Sequence, residues 1–183
     1  MGKILIVISA LFFIILINSK NVHAQENYAG SSAALLKPQN EKAPDSRATI
    51  LKEFLGQYNS PLEPFASDFV EIADKYNLDW KLVAAISGVE STFGQQIPNE
   101  SHNGWGWGIY ADNMIRFSSW KQGIQTVSEG LKTNYIDRGA KDVYEIGRFY
   151  AASPTWAQRV DYFMRKIDEL KDQKLATSLS LSL

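Results

Sequence analysis

The sequence has no cysteine and only two histidines, His23 and His102. Without cysteine there are no disulfides, no thiolate metal sites and no cysteine nucleophile. Two histidines do not build a multi-histidine metal centre or paired-histidine chemistry. Positive charge is not in excess either: 19 basic residues face 20 acidic ones, for a net charge of −1. A chain without a basic surplus holds nucleic-acid phosphates poorly. No nucleic-acid partner, no metal and no organic cofactor is expected. The chemistry that remains is that of carboxylates, hydroxyls and aromatic rings. At 183 residues and 45% hydrophobic composition, the chain is one ordinary domain with accessory segments.

Residues 1–24 have the three-part pattern of a secretory signal. Lys3 opens a short positive segment, Ile4 to Ile17 is almost wholly apolar, and Val22-His23-Ala24 follows. The apolar run is shorter than the roughly 20 residues of a membrane span. An uncleaved N-terminal anchor is the rival reading, and would be the chain's one link to a membrane. Loss of Lys3 and Lys20 with this segment takes the net charge from −1 to −3. Residues 25–60 are rich in Ser, Ala, Asn, Gln, Lys and Pro and are read as a spacer, with a short helix possible over Thr49 to Tyr58. Residues 172–183, ending in alternating Ser and Leu, are expected to be a loose tail.

Over residues 61–171 the apolar period is helical. Phe65, Phe69, Ile72, Ala73 and Tyr76 share one face, with Pro64 in the first turn. Asp79 is placed to cap a second helix carrying Leu82, Val83, Ile86 and Val89, with Gly94 beyond its end. A third runs from Ser118 or Ser119 to about Arg138, a fourth carries Val143, Ile146 and Tyr150, and a fifth begins after Ser153-Pro154. The expected fold is a compact all-α domain of four or five helices. Residues 98–114 break the pattern with many turn formers, which predicts an irregular loop or small hairpin over the scaffold.

Glu90 stands four residues after Ile86 and seven after Val83, so a carboxylate shares an apolar stripe. It is also at a helix C-terminus, the negative end of the macrodipole. Apolar surroundings and the dipole both disfavour its charged form and raise its pKa. A carboxyl that keeps its proton near neutrality suits cleavage of a glycosidic bond, whose leaving oxygen must be protonated. The alternative is that Glu90 pairs with a base or reaches solvent at the helix end.

Residues Ala84 to Gly94, Ala-Ala-Ile-Ser-Gly-Val-Glu-Ser-Thr-Phe-Gly, resemble the Glu-Ser segment of lysozyme-like peptidoglycan hydrolases. The likeness is greatest to bacterial glucosaminidases, of the mannosyl-glycoprotein endo-beta-N-acetylglucosaminidase type, with soluble lytic transglycosylases next. Asn103-Gly-Trp-Gly-Trp-Gly-Ile109 is similar to their following loop, and Tyr150 to Val160 to their late Tyr-Ala, Pro and aromatic-Ala segment. Phe117 to Trp120 with Gly123-Ile124 stands where they carry an aromatic before a helix. The resemblance spans about Phe65 to Ile167. It implies a lysozyme-like fold, Glu90 as general acid and then base, and Tyr150 in the cleft steadying the intermediate or the acetamido group. It also leads one to expect a second acid after the loop, for which only Glu100 and Asp112 are near. A one-carboxylate scheme, in which the substrate's acetamido group attacks the anomeric carbon, is the other route.

Trp105, Trp107, Tyr110 and Phe117 crowd the irregular region, and sugar rings stack their C–H faces on aromatic planes. One of Trp105 and Trp107 is expected to plug the core and the other to reach the cleft. With Asn103 and Ser91 these aromatics form the expected substrate-binding set, Ser91 either capping the helix or bonding the acid. Trp156 and Phe163 read as core. The expected protein is a monomeric, exported cell-wall glycosidase acting on peptidoglycan strands. Its rivals are a lytic transglycosylase leaving anhydro-muramyl ends and a non-catalytic glycan-binding envelope domain.

Overall fold

The computed structural model describes residues 45–108 and 115–181. The expected leader, most of the expected spacer, Tyr110 and Asp112 lie outside the described residues. Among those described there are six α-helices and no strand, as the all-α expectation required. None of these helices is long and apolar enough to cross a membrane.

Helix α1 (Ser46–Gln57) begins at Asp45, whose carboxylate accepts the Arg47 N–H at 2.9 Å. The Arg47 guanidinium also joins Asp45 to Asp74, tying the helix to the next one. Ala48, Ile50, Leu51, Phe54 and Leu55 are buried. The short helix expected over Thr49 to Tyr58 is thus α1, and the segment assigned to the spacer as far as residue 60 contributes to the core from Ala48 onward. Its polar composition is carried by the outward face of an amphipathic helix.

Pro64 lies in a 3-10 turn, Glu63–Phe65, that leads into α2 (Ala66–Tyr76). Asn77 ends α2 in the left-handed conformation (φ 52°), which asparagine tolerates. Helix α3 (Leu82–Ser91) is buried along every residue from Leu82 to Gly88. Asp79 does not cap it directly: its carboxylate accepts from Lys81 N–H in the turn just before. A helix apolar all round belongs in the middle of a domain, and α3 packs on α6 and α4. Helix α4 (Trp120–Asn134) is capped by Ser119, whose Oγ accepts from Gln122 N–H. A 3-10 turn (Ile136–Arg138) follows and ends at Gly139, φ 105°. Asp142 caps α5 (Val143–Tyr150).

Helix α6 (Trp156–Leu181) is 26 residues long, about 39 Å. Residues 172–181 of the tail expected to be loose are its continuation. There Thr177, Ser178 and Ser180 turn their hydroxyls back onto carbonyls three or four residues earlier. That local bonding satisfies the polar side chains without leaving the helix. The Ser/Leu alternation, which suits a strand, has no neighbouring strand to pair with among the described residues.

Candidate active site

The end of α3 is a sharp reversal. Thr92, Phe93 and Gly94 all have positive φ, at 52°, 56° and 83°. Two of these are bulky or β-branched residues for which that region is strained. The turn is held by short hydrogen bonds. Ser91 Oγ accepts the Gly94 N–H at 2.8 Å and donates to the Gly104 carbonyl at 2.7 Å. Ser60 Oγ donates to the Phe93 carbonyl at 2.7 Å. Phe93 folds back under the helix against Gly88, where a Cβ would come within 2.5 Å of its ring. Ser91 thus caps the helix and joins it to the loop. At 3% exposure it does not present itself to substrate.

The loop is built around Asn103, also buried. Its Nδ2 donates to the carbonyls of Trp107 (2.8 Å) and Ile115 (3.0 Å). Its Oδ1 accepts the N–H groups of Trp107 (3.0 Å) and Trp105 (3.4 Å). Asn103, expected to bind substrate, is spent on the loop's own backbone. Trp105 is wholly buried among Phe69, Phe117 and Trp120, and its indole N–H donates to the Val83 carbonyl at 2.8 Å. Phe117 is buried as well. These two aromatics are core, not sugar platforms, because the loop's chain reversal turns them inward onto α2 and α4. Trp107 is the half-buried one that reaches a groove.

Both indoles rest on glycines of α4. A Cβ at Gly123 would lie 2.6 Å from the Trp105 ring, and one at Gly130 would run into the Trp107 ring. The two glycines are seven positions apart, two turns of helix, and so share a face.

The groove, about 450 Å³, is lined by Gly106, Trp107, Gly108, Ile115, Asn134, Tyr135, Phe149 and Tyr150. Glu90 stands at its Gly106 end, where a Cβ on Gly106 would be 3.5 Å from Glu90 Oε2. Gly106 has φ 61°, so both its backbone and its closeness to the acid favour glycine. Glu90 Oε1 accepts the Trp156 indole N–H at 2.6 Å. Trp156 in turn stacks on Tyr150 with ring centroids 4.7 Å apart and planes 24° apart. Among the described residues Glu90 has no ion pair within 4.0 Å.

Glu90 is open to solvent on one side, yet the protein around its carboxyl desolvates it and pushes its pKa above the ordinary glutamate range. The Trp156 N–H and the positive charge of Arg159 pull the other way and do not cancel the effect. Trp156 is therefore a site residue that periodicity alone assigns to the core. It is buried at 3%, and only its N–H reaches the acid. Replacing it by phenylalanine removes that donor to the charged form. The expected result for Trp156→Phe is a higher Glu90 pKa still, read by NMR titration of the labelled carboxyl; an unmoved titration would show the indole N–H to be without effect.

Tyr150 lines the groove and donates its hydroxyl proton to the Trp105 carbonyl at 2.9 Å. Burial, then the nearby Glu90 charge, hold its pKa well above the usual tyrosine value, so the hydroxyl stays protonated. Glu100 is in an exposed turn with φ 54°.

No protein-family model matches the chain. Over 120 residues it is 28% identical to each of two Streptococcus pneumoniae proteins, from different strains, named as endo-beta-N-acetylglucosaminidases. The match covers 61% of this chain but only 18% and 17% of those proteins. The chain thus spans less than a fifth of the length of the curated relatives it matches. Two solved structures of S. aureus autolysin E share its fold, each with a TM-score of 0.55. One is a catalytic mutant with the disaccharide NAG-NAM and the other a complex with the muropeptide NAM-L-Ala-D-iGlu. They are 15% and 16% identical and align over 67% of this chain and 66% of theirs. The chain has the fold of autolysin E, and its sequence resembles the glucosaminidase-like peptidoglycan hydrolases.

Proposed function

We propose that this chain is an exported bacterial glycosidase that cleaves β-1,4 bonds between the amino sugars of peptidoglycan, with Glu90 as general acid and then base. One observation carries the reading: a carboxyl with a raised pKa has one oxygen tied to an indole N–H and the other beside an aromatic-lined groove. The names of the sequence relatives and the sugar ligands of the structural ones support it.

In the forward step the Glu90 proton passes from Oε2 to the glycosidic oxygen as the bond to the anomeric carbon breaks. Desolvation favours the protonated acid, and the Trp156 N–H steadies the carboxylate left behind. In the one-carboxylate route the substrate's acetamido oxygen closes on the anomeric carbon. Glu90 then takes a proton from water, which gives a reducing end, or from the same sugar's C6 hydroxyl, which gives an anhydro end. In the two-carboxylate route a second acid takes part. Glu100, in an exposed turn, and Asp112, outside the described residues, are the two candidates for that role.

Tyr150 already donates its proton to Trp105. Its oxygen is left to accept, which suits an acetamido N–H. Tyr150→Phe is expected to lower kcat/KM about tenfold, the worth of one such bond; unchanged kinetics would leave only the ring with a role.

The test of the whole proposal is clearing of purified peptidoglycan by the wild-type protein, with mass spectrometry of the products. Reducing ends support hydrolysis and anhydro-muramyl ends support a lytic transglycosylase. Binding to the wall without any cleavage would replace the enzyme by a glycan-binding domain.

A further inference from the structure

The groove beside Glu90 does not end at its far wall. Asn134, Tyr135 and Phe149 also line a second depression of about 400 Å³, completed by Arg138 and Ala140. Phe149, one of the three shared residues, is 79% exposed. A single exposed phenylalanine needs no explanation, but this one lines both depressions. Among the described residues lining the two depressions, Arg138 is the only charged one.

Local structure fixes where Arg138 starts. It closes the 3-10 turn after α4, with its N–H donating to the Tyr135 carbonyl at 3.1 Å. Gly139 then turns the chain at φ 105°, and Ala140 N–H returns to the same Tyr135 carbonyl at 3.0 Å. The neighbouring acid, Asp137, is paired with Lys132. The guanidinium is thus not matched by an acid in its own turn. A planar guanidinium binds carboxylates through paired N–H donors, whereas a neutral sugar offers it only hydroxyls and amides.

Resting on the glycosidase reading above, we propose that the second depression is a subsite for a muramic acid unit. Arg138 binds the carboxylate that this unit carries, and Phe149 stacks on the sugar ring between that carboxylate and the scissile bond. The carboxylate has two sources, the lactyl group of a strand stripped of peptide or the stem peptide of an intact one. Each is absent from a strand of N-acetylglucosamine alone.

Binding to the Glu90→Gln protein, measured by calorimetry, separates these cases. The probes are an N-acetylglucosamine oligomer, an amidase-stripped glycan oligomer of equal length, and the same glycan with its stem peptides. The expected result is about tenfold tighter binding of a carboxylate-bearing probe than of the neutral one, falling as salt is raised. Preference for the stripped glycan assigns the lactyl group, and preference only for the peptide-bearing glycan assigns the stem. Adding Arg138→Gln should bring the ratio to about one, while Phe149→Ala should weaken all three probes alike. A ratio of one before any change at Arg138, or a ratio that Arg138→Gln leaves intact, overturns the subsite. The wall-clearing assay with wild-type protein keeps the two proposals apart. Clearing without discrimination removes the subsite alone, and discrimination without clearing removes the catalytic reading alone.

Discussion

Glu90→Gln is expected to lower the turnover of peptidoglycan by about 10³-fold, within the range that general acid–base catalysis contributes, while the protein stays folded and still binds the wall. The glutamine keeps the size of the side chain and an oxygen able to accept the Trp156 N–H. What it loses is the transferable proton. Retention of more than a tenth of the wild-type rate would falsify the assignment of Glu90 as the acid.

The same substitution has a pH signature in stability. The folded state raises the Glu90 pKa above its ordinary value, chiefly by desolvation. The folded form thus holds this proton more tightly than the unfolded chain does. Its contribution to stability is fully present below the unfolded glutamate pKa and is lost as pH rises through the folded one. Glu90→Gln has no charge to desolvate. Its stability relative to the wild type is therefore expected to improve as pH rises across that window, measured by denaturant unfolding at a series of pH values. A constant difference at all pH values would show that the folded protein does not perturb this group.

Asn103→Ala is expected to be the most damaging change to the loop. It removes an amide that serves two carbonyls and two N–H groups at once. Buried backbone groups left without partners cost about 1–3 kcal/mol each, and relaxation of the loop recovers part of that. A net loss of about 3 kcal/mol would lower Tm by about 9 °C for a chain of this size. Displacing Trp107 and Gly106 by even an ångström beside Glu90 is expected to lower kcat/KM about 100-fold. Calorimetry and steady-state kinetics check the two halves separately. A variant with unchanged Tm would mean that the loop is held by other contacts.

Much of this architecture was legible in the apolar period. Helices α2 to α6 follow stripes whose starts are marked by capping residues such as Ser119, and Glu90 stood out as a carboxylate on such a stripe at a helix end. What was hidden depends on partners far away in sequence. Helix α1 was legible as a short helix over Thr49 to Tyr58, but the burial of five of its residues was not, because it follows a polar stretch that reads as spacer. Trp156 looks like any core tryptophan until a carboxylate 66 positions earlier meets its N–H. Ser91 takes the capping alternative and Trp105 the core one, while Asn103 and Phe117, expected to bind substrate, are turned into the loop's own interior. The unused clue was Gly123 and Gly130. Glycine inside a helix costs about 1 kcal/mol against alanine, and two on one face signal that something bulky must lie against the backbone.

The hydrogen bond between Glu90 and Trp156 has a consequence for motion. Trp156 is the first residue of α6, and Glu90 is in the last turn of α3. Helix ends fray before helix middles. When the opening turn of α6 lifts, the acid loses its indole partner and becomes better hydrated at the same moment. The surroundings of this one carboxyl are thus set by the docking of two helices, because the burial that raises its pKa and the N–H that lowers it both depend on their contact.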